Sequence, residues 1–213
     1  MNTRTRILRA LELILFFGVV PYLYRPYVNV VPPIPLLFLV FGFCLIVLRR
    51  DRSFDRRRLW NRGGVRGQLK PILLHFAAAG VALIAFTLII APDHFLEFPR
   101  RVPGIWLMVM VLYPVFSVYP QELVYRTFFF HRYRELFPGP WAMVLASALA
   151  FGWVHIVFGS WVSVVLSSLG GVLFARTYQR SESTLAAGIE HALYGCYVFT
   201  LGLGYYFYHG AAR

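Results

Sequence analysis

The sequence is poor in charged residues of either sign. Only 14% of its 213 residues are charged, whereas 59% are hydrophobic, and the mean hydropathy is +0.62. A soluble domain is closer to half apolar and a quarter charged. This shortage of charge excludes a soluble protein with a large core, and it predicts an integral membrane protein.

Cysteine and lysine are also scarce. Cys44 and Cys196 are the only cysteines and both lie in apolar segments, so the sequence does not predict a disulfide framework. Apart from Lys70, the basic residues behind the net charge of +12 are all arginines. Because these arginines cluster between apolar runs, they are typical of cytoplasmic membrane loops. We therefore predict no nucleic-acid partner.

Two short hydrolase motifs are absent. There is no G-x-S-x-G sequence, so a serine triad on a nucleophile elbow is not supported. There is also no H-E-x-x-H sequence, which is the local motif that would specify zinc. Any hydrolytic site must therefore be assembled from residues that are distant in the chain.

What the sequence does contain is a succession of apolar segments separated by turns. They predict one membrane domain, residues 1–213, folded as an all-α polytopic bundle of about seven transmembrane helices. The predicted segments cover residues 10–24, 36–48, 71–91, 104–130, 141–158, 161–178 and 185–208.

Arginine placement predicts the orientation of this bundle. With the N-terminus inside, the three most basic loops all lie on the cytoplasmic side, as the positive-inside rule requires. These loops are residues 49–70, 131–140 and 176–183. An N-in topology is therefore predicted, with an integral, multi-pass location in what we expect to be a bacterial inner membrane.

Among the ionisable residues of the last four apolar segments, four are candidates for one site. Glu122 and Arg126 follow an uncharged run, and His155 and His191 have equally apolar surroundings. Such residues are costly at membrane depth and mark functional sites by default. With a rise of ~1.5 Å per residue, their depths of roughly 13, 21 and 10 Å for Glu122, His155 and His191 are compatible with one site. A purely structural Glu122–Arg126 pair is the alternative.

This combination of side chains favours hydrolysis. A carboxylate and an imidazole can hold and deprotonate a water, and a second imidazole can donate a hydrogen bond to an oxyanion. Two histidines and a carboxylate are also a common catalytic zinc set, which here would be Glu122, His155 and His191. A metal-free site is favoured, and zinc remains an open alternative.

Three short motifs carry a family resemblance. They are Gln121-Glu122-Leu-Val-Tyr-Arg126, Phe151-Gly-Trp-Val-His155 and His191-Ala-Leu-Tyr-Gly195. In order and spacing they resemble the motifs of the CPBP family of intramembrane proteases, which includes CAAX prenyl endopeptidases and Abi-type bacterial proteins. The family pattern is EExxxR, then FxxxH, then a histidine followed four residues later by a polar residue. The resemblance identifies about residues 104–208 as the catalytic helices.

The resemblance implies an intramembrane endopeptidase of the glutamic type. Its partners would be membrane lipids and a membrane-associated protein or peptide substrate. Glu122 and His155 would activate a water, Gln121 would help to hold it, His191 would stabilise the oxyanion, and Arg126 would position Glu122.

Two residues depart from the family pattern. Gln121 replaces the first glutamate, and Gly195 replaces the final polar residue. Tyr125, Tyr194 and Tyr197 are candidates for a replacement hydrogen-bond donor. The departures keep a second hypothesis open, a catalytically inactive pseudoprotease that binds a membrane segment or a lipid tail. A transporter is a weaker alternative, because no internal repeat pairs the charged sites.

Overall fold

The computed structural model describes residues 2–207, and this part of the chain is helical and contains no strand. The all-α polytopic bundle is therefore confirmed. The predicted end of the last segment at residue 208 lies outside the described range. The long helices of residues 2–207 are α1 (Thr3–Tyr27), α2 (Pro33–Arg50), α3 (Arg62–Ile90), α4 (Pro103–Tyr133), α5 (Pro140–Phe158), α6 (Trp161–Ser181) and α7 (Thr184–Leu201).

Six of these helices, α1 to α6, are long and apolar enough to cross a membrane. The outer faces carry exposed apolar side chains such as Leu39, Ile89 and Leu149, as lipid contact requires. The chain is thus an integral, multi-pass membrane protein. The count of seven spans and the N-in orientation remain predictions.

Helix α7 nevertheless runs from one end of the bundle to the other. At its start the Thr184 hydroxyl donates to the carbonyl of Arg58, at 3.0 Å. At its end the Leu201 carbonyl accepts from the backbone amide of Leu96, at 3.2 Å. Residues on α7 can therefore meet residues at any depth of the neighbouring helices.

The helix starts follow local sequence signals. Asn2, Asn61 and Ser183 each accept a hydrogen bond from a backbone amide in the first turn of α1, α3 and α7, respectively. Such caps satisfy amides that have no partner within the helix. Helices α2, α4 and α5 begin with proline instead. Proline has a preset φ angle that suits a helix start, and it leaves one backbone amide fewer without a partner.

Helix α4 is irregular around its acidic residue. Two π-helical stretches, Pro114–Val118 and Leu123–Phe128, flank an α-helical turn at Tyr119–Glu122. Proline inside a helix removes an amide donor and crowds the preceding turn, and π-turns of this kind are frequent at functional sites. The carbonyl of Met110, which loses its donor at Pro114, lies 3.9 Å from the thiol of Cys196 on α7.

The basic loops gather at one end of the bundle. Arg58 pairs with Glu182 at 2.6 Å, and His131 lies 2.9 Å from Asp51. The hydrogen bond from His131, together with those from Ser53, holds the pKa of Asp51 well below its usual range. This clustering agrees with the grouping of loops that the arginine pattern predicts, without deciding which side of the membrane they face.

Helix α4 lies at the centre, against α2, α5 and α7, and α6 packs on α3, α5 and α7. Helices α5 and α6 approach each other closely. A Cβ atom added at Gly152 would overlap Ser168, and one added at Gly171 would lie 3.1 Å from the Cα of Ala148. Small residues at such positions let membrane helices approach closely, which fixes α5 and its His155 against the bundle.

The contact at Gly152 generates a stability prediction. Gly152→Ala is expected to destabilise the protein by about 1–3 kcal/mol, because overpacking forces neighbouring atoms apart. Thermal unfolding in detergent, followed by circular dichroism, measures the effect. Gly42→Ala is the matched control, since nothing lies within 4 Å of a Cβ there. Equal melting temperatures for the two variants would contradict the close packing.

Candidate active site

The carboxylate of Glu122 is held between two basic side chains from different positions in the chain. Glu122 is fully buried. Its Oε1 lies 2.9 Å from Nδ1 of His191 on α7, and its Oε2 lies 3.3 Å from Nε of Arg126, one turn later on α4. A buried carboxylate needs such compensation, because an isolated charge in an apolar interior is very costly. The motif residues of α4 and α7 are therefore in direct contact.

Arg126 is fixed in turn by α5. Its Nη1 donates a hydrogen bond to the hydroxyl of Ser147 at 2.8 Å, and that hydroxyl donates to the carbonyl of Tyr125 at 2.7 Å. The guanidinium also lies over the ring of Phe151, 4.8 Å from its centroid, a favourable cation–π arrangement. These contacts hold Arg126 beside Glu122 and leave it little freedom to reach elsewhere.

Both ring nitrogens of His191 have polar partners. Nδ1 faces Glu122, and Nε2 lies 3.2 Å from the hydroxyl of Tyr113. The ring stacks on Phe174, with centroids 4.6 Å apart and planes 12° from parallel. A carboxylate accepts hydrogen bonds only, so Nδ1 carries the hydrogen. In the singly protonated ring, Nε2 then has the lone pair and accepts from the Tyr113 hydroxyl.

His155 lies at the end of α5 with a defined tautomer. Its Nδ1 is 2.8 Å from the carbonyl oxygen of Phe151. Because a carbonyl can only accept, Nδ1 bears the hydrogen and the lone pair of the neutral imidazole is on Nε2. The Phe151 ring contacts both histidines, with centroid distances of 4.9 Å to His155 and 5.2 Å to His191. Phe151 thus lies between the two imidazoles.

Two cavities meet at His155. The first, here named the His191 cavity, has a volume of about 440 Å³ and is lined by Tyr113, His155, His191 and Gly195 among mostly apolar residues. The second, the Gln121 cavity, has a volume of about 540 Å³ and lies between α1, α2 and α4. His155 lines both. A water or a substrate chain in either space can therefore reach this imidazole.

Gln121 lies on the side away from His191. Its Nε2 donates to the hydroxyl of Ser117 at 2.7 Å, and its side chain lines the Gln121 cavity. The structure thus brings Glu122, Arg126 and His191 into contact and places His155 beside them across Phe151. Gln121 shares only a cavity wall with His155.

The sequence did not single out several groups around this cluster. Tyr113 and Ser147 are the polar contacts of His191 and Arg126. Glu190, which successive helix positions direct away from His191, is also fully buried, with Thr177 as a polar neighbour. Neither carboxylate oxygen of Glu190 forms a hydrogen bond of ordinary geometry within residues 2–207. The sequence does contain one signal for Tyr113: its side chain has a polar hydroxyl within an uncharged run, nine residues before Glu122.

The fit of a zinc ion can be judged from these contacts. Within residues 2–207, no group of three His, Cys, Asp or Glu side chains converges as metal ligands. In this arrangement Glu122 is bound to His191 and faces Arg126, so it acts as a partner of a histidine rather than as a free ligand. In both His155 and His191 the nitrogen that could bind zinc is Nε2, because Nδ1 carries the hydrogen.

Comparison with known protein families identifies the class. Residues 103–197 match the family model described as type II CAAX prenyl endopeptidase, Rce1-like. This match supports assignment to the CPBP/CAAX family of intramembrane proteases, the family whose motifs the sequence resembles. The match supports a CAAX-type intramembrane endopeptidase as the general activity. Among curated proteins and solved structures, no significant match to the chain was found.

The buried pair allows a test of what Arg126 does for the site. Arg126→Met is expected to destabilise the protein by about 3–5 kcal/mol, because Glu122 is left as a buried charge without its partner. The double variant Glu122→Gln, Arg126→Met is expected to be more stable than the single variant, since both charges are gone. Thermal unfolding in detergent compares them. A double variant no more stable than Arg126→Met would contradict the pairing.

Proposed function

We propose that the protein is an intramembrane endopeptidase that hydrolyses a peptide bond of a membrane-associated substrate by means of an activated water. The observation that carries the proposal is the fully buried Glu122 carboxylate, which is bonded to His191 and lies beside Arg126, next to an imidazole that opens onto two cavities. A membrane bundle seldom contains such a cluster without a functional reason.

Glu122 and His155 form the water-activating part of the site. The Nε2 lone pair of His155 accepts a proton from a water in the adjoining cavity, which is general-base catalysis. Glu122 supplies the negative charge of the pair, and its Oε2 has no hydrogen-bond partner within the described residues. Arg126 positions this carboxylate, and Gln121 helps to hold water on its side of His155.

His191 belongs to the part of the site that receives the developing oxyanion. Its Nε2 is directed toward the His191 cavity, where Tyr113 is its neighbour. A donor that His191 holds at this position can stabilise charge that appears only in the transition state. The peptide carbonyl would therefore enter the His191 cavity with its oxygen toward the side of His191.

The wider setting is a proposal of the same kind. Residues 1–213 form a single membrane domain in a bacterial inner membrane, and residues 104–208 contain the catalytic helices. The partners are membrane lipids and a membrane-associated protein or peptide. The largely apolar linings of the two cavities suit a lipid-embedded chain better than a soluble, charged one.

We propose a metal-free, glutamic-type mechanism over a zinc-dependent one. The Glu122 carboxylate already contacts His191 through Oε1 and faces Arg126 through Oε2, so it would have to give up these contacts to bind a metal. If zinc were bound, Glu122, His155 and His191 would be the residues to hold it, and it would polarise a carbonyl or a water. Metal analysis of the purified protein distinguishes the two types.

Alanine substitutions test the assigned groups. Glu122→Ala, His155→Ala and His191→Ala are each expected to reduce cleavage by about 100-fold or more, the usual scale for loss of an acid–base group. Cleavage of a membrane-embedded reporter peptide by the purified protein is the measurement. His75→Ala, an exposed histidine of α3, is the matched control and should cleave normally. Wild-type rates in any of the three site variants would remove that residue from the mechanism.

The position of Gln121 also favours a second candidate function. A glutamine that donates to Ser117 can hold a water but cannot take its proton, which suits a pseudoprotease that binds a membrane segment or a lipid tail without cutting it.

Gln121→Glu discriminates between the two functions, because it places a carboxylate in the wall of the cavity that His155 also lines. For an active protease, the parent protein cleaves the reporter and the substitution is not required. A silent parent that gains cleavage through Gln121→Glu would instead establish the pseudoprotease, and an active parent excludes it. Ser117→Ala, which removes the partner of Gln121 without adding a base, controls for a simple change of side-chain position.

A further inference from the structure

Gly195 creates a space that another helix fills. His191 and Gly195 lie four residues apart on α7 and share one face of it. A Cβ atom added at Gly195 would overlap the hydroxyl and ring of Tyr113 from α4. Glycine is therefore the residue that allows Tyr113 to reach the cavity at this point, and any larger side chain would displace it.

The Tyr113 ring is held in that space by defined contacts. It meets Phe199 edge-on, with centroids 5.3 Å apart, and it meets His191 in the same manner at 6.2 Å. Its hydroxyl lies 3.2 Å from Nε2 of His191, and the residue lines the same cavity as His155. The only polar atom that this side chain offers thus lies at the edge of the space where a peptide carbonyl would be attacked.

His191 alone is poorly arranged to donate to an oxyanion. Its Nδ1–H is committed to Glu122, and its Nε2 accepts from Tyr113 in the neutral ring. The donor that faces the cavity is then the Tyr113 hydroxyl. Of the three tyrosines suggested by the sequence, Tyr125 lines the Gln121 cavity and Tyr197 packs on Phe76. Tyr194 lines the His191 cavity, but within the described residues its hydroxyl has no hydrogen bond that would hold it in place, whereas the Tyr113 hydroxyl is held by His191.

We propose that the Tyr113 hydroxyl is the oxyanion donor of this protein and does the work of the side chain that Gly195 lacks. This inference rests on the proposed endopeptidase function. His191 positions the hydroxyl, and Glu122 positions His191. Hydrogen bonds thus connect the buried carboxylate of Glu122 to His191, and His191 to the Tyr113 hydroxyl at the cavity.

The reaction step is balanced as follows. The water oxygen bonds to the peptide carbonyl carbon, the carbonyl π pair moves onto its oxygen, and the water proton passes to Nε2 of His155. When the oxyanion pair re-forms the C=O bond, the C–N bond breaks, its electron pair leaves with the nitrogen, and the proton on His155 goes to the leaving amine. A charged oxygen is a stronger hydrogen-bond acceptor than a neutral imidazole, so the Tyr113 hydrogen turns from His191 to the oxyanion as charge develops. An interaction that strengthens in the transition state raises kcat.

Tyr113→Phe tests the proposal. It removes one oxygen and keeps the ring that fills the space at Gly195. We expect kcat to fall by about 100- to 1,000-fold, as for loss of an oxyanion donor, with KM little changed. Tyr197→Phe on α7 is the matched control and is expected to keep the wild-type kcat, because its ring packs on Phe76 and lines neither cavity.

A rescue variant separates donation from packing. Tyr113→Ala clears the space, and Gly195→Asn in the same chain places an amide donor four residues after His191. The double variant is expected to exceed Tyr113→Ala in kcat by at least about tenfold. Melting temperatures identify any variant that fails to fold. If one of the two tests is lost in this way, the other decides whether Tyr113 is the donor.

The outcomes distinguish this inference from the proposed function. An active wild type, an inactive His155→Ala and a Tyr113→Phe with normal kcat would overturn the role of Tyr113 and leave the endopeptidase intact. A raised KM with an unchanged kcat in Tyr113→Phe would also overturn it, because the hydroxyl would then bind substrate only. An inactive wild type would overturn both.

Discussion

The site depends on a carboxylate that is kept within an apolar bundle. Glu122 has no exposure, so its charge must be compensated by Arg126 from its own helix and by His191 from α7. Each partner is fixed in turn, Arg126 by Ser147 and His191 by Phe174. A buried pair of this kind adds little net stability compared with apolar packing. Its value is that it holds α4, α5 and α7 in one register around a single polar point.

The irregular path of α4 also helps to assemble this cluster. Two π-helical stretches bracket the turn that contains Glu122; the first begins at Pro114, and Pro120 lies within the turn itself. The helix thereby brings Tyr113 and Glu122 to one imidazole although they are nine residues apart. Phe151 then separates this cluster from His155 while contacting both histidines. The result is a hydrogen-bonded polar cluster on one side of an aromatic ring and the imidazole of His155 on the other. His155 faces the two cavities from which water and substrate can approach.

Much of this arrangement follows from sequence spacing. The apolar segments define the helical bundle, and the four-residue spacing of Glu122 and Arg126 places both on one face of α4. The contact between the motifs of α4 and α7 also follows from the sequence, because buried ionisable residues are expected to pair with one another. The family model over residues 103–197 confirms the class that the motifs predict.

Other features depend on side-chain geometry that no local pattern encodes. Gln121 reaches Ser117 within its own helix, four residues back, but spacing alone does not give its place in the wall of the cavity between α1, α2 and α4. The role of Gly195 is similar: in the sequence it is only a missing side chain, whereas in the bundle it is the space that Tyr113 occupies. Such contacts between distant helices depend on which ring fills which gap, and that is decided by packing of the whole bundle.

The central claim is that the charge of Glu122, and not merely its shape, drives peptide hydrolysis. The most direct test is single-turnover cleavage of a membrane-embedded peptide by purified, metal-analysed wild type and Glu122→Gln, an isosteric change. The account predicts cleavage by a wild type without stoichiometric metal and a loss of about 100-fold or more in the variant. Equal rates in the two proteins, or cleavage that requires bound zinc, would contradict it.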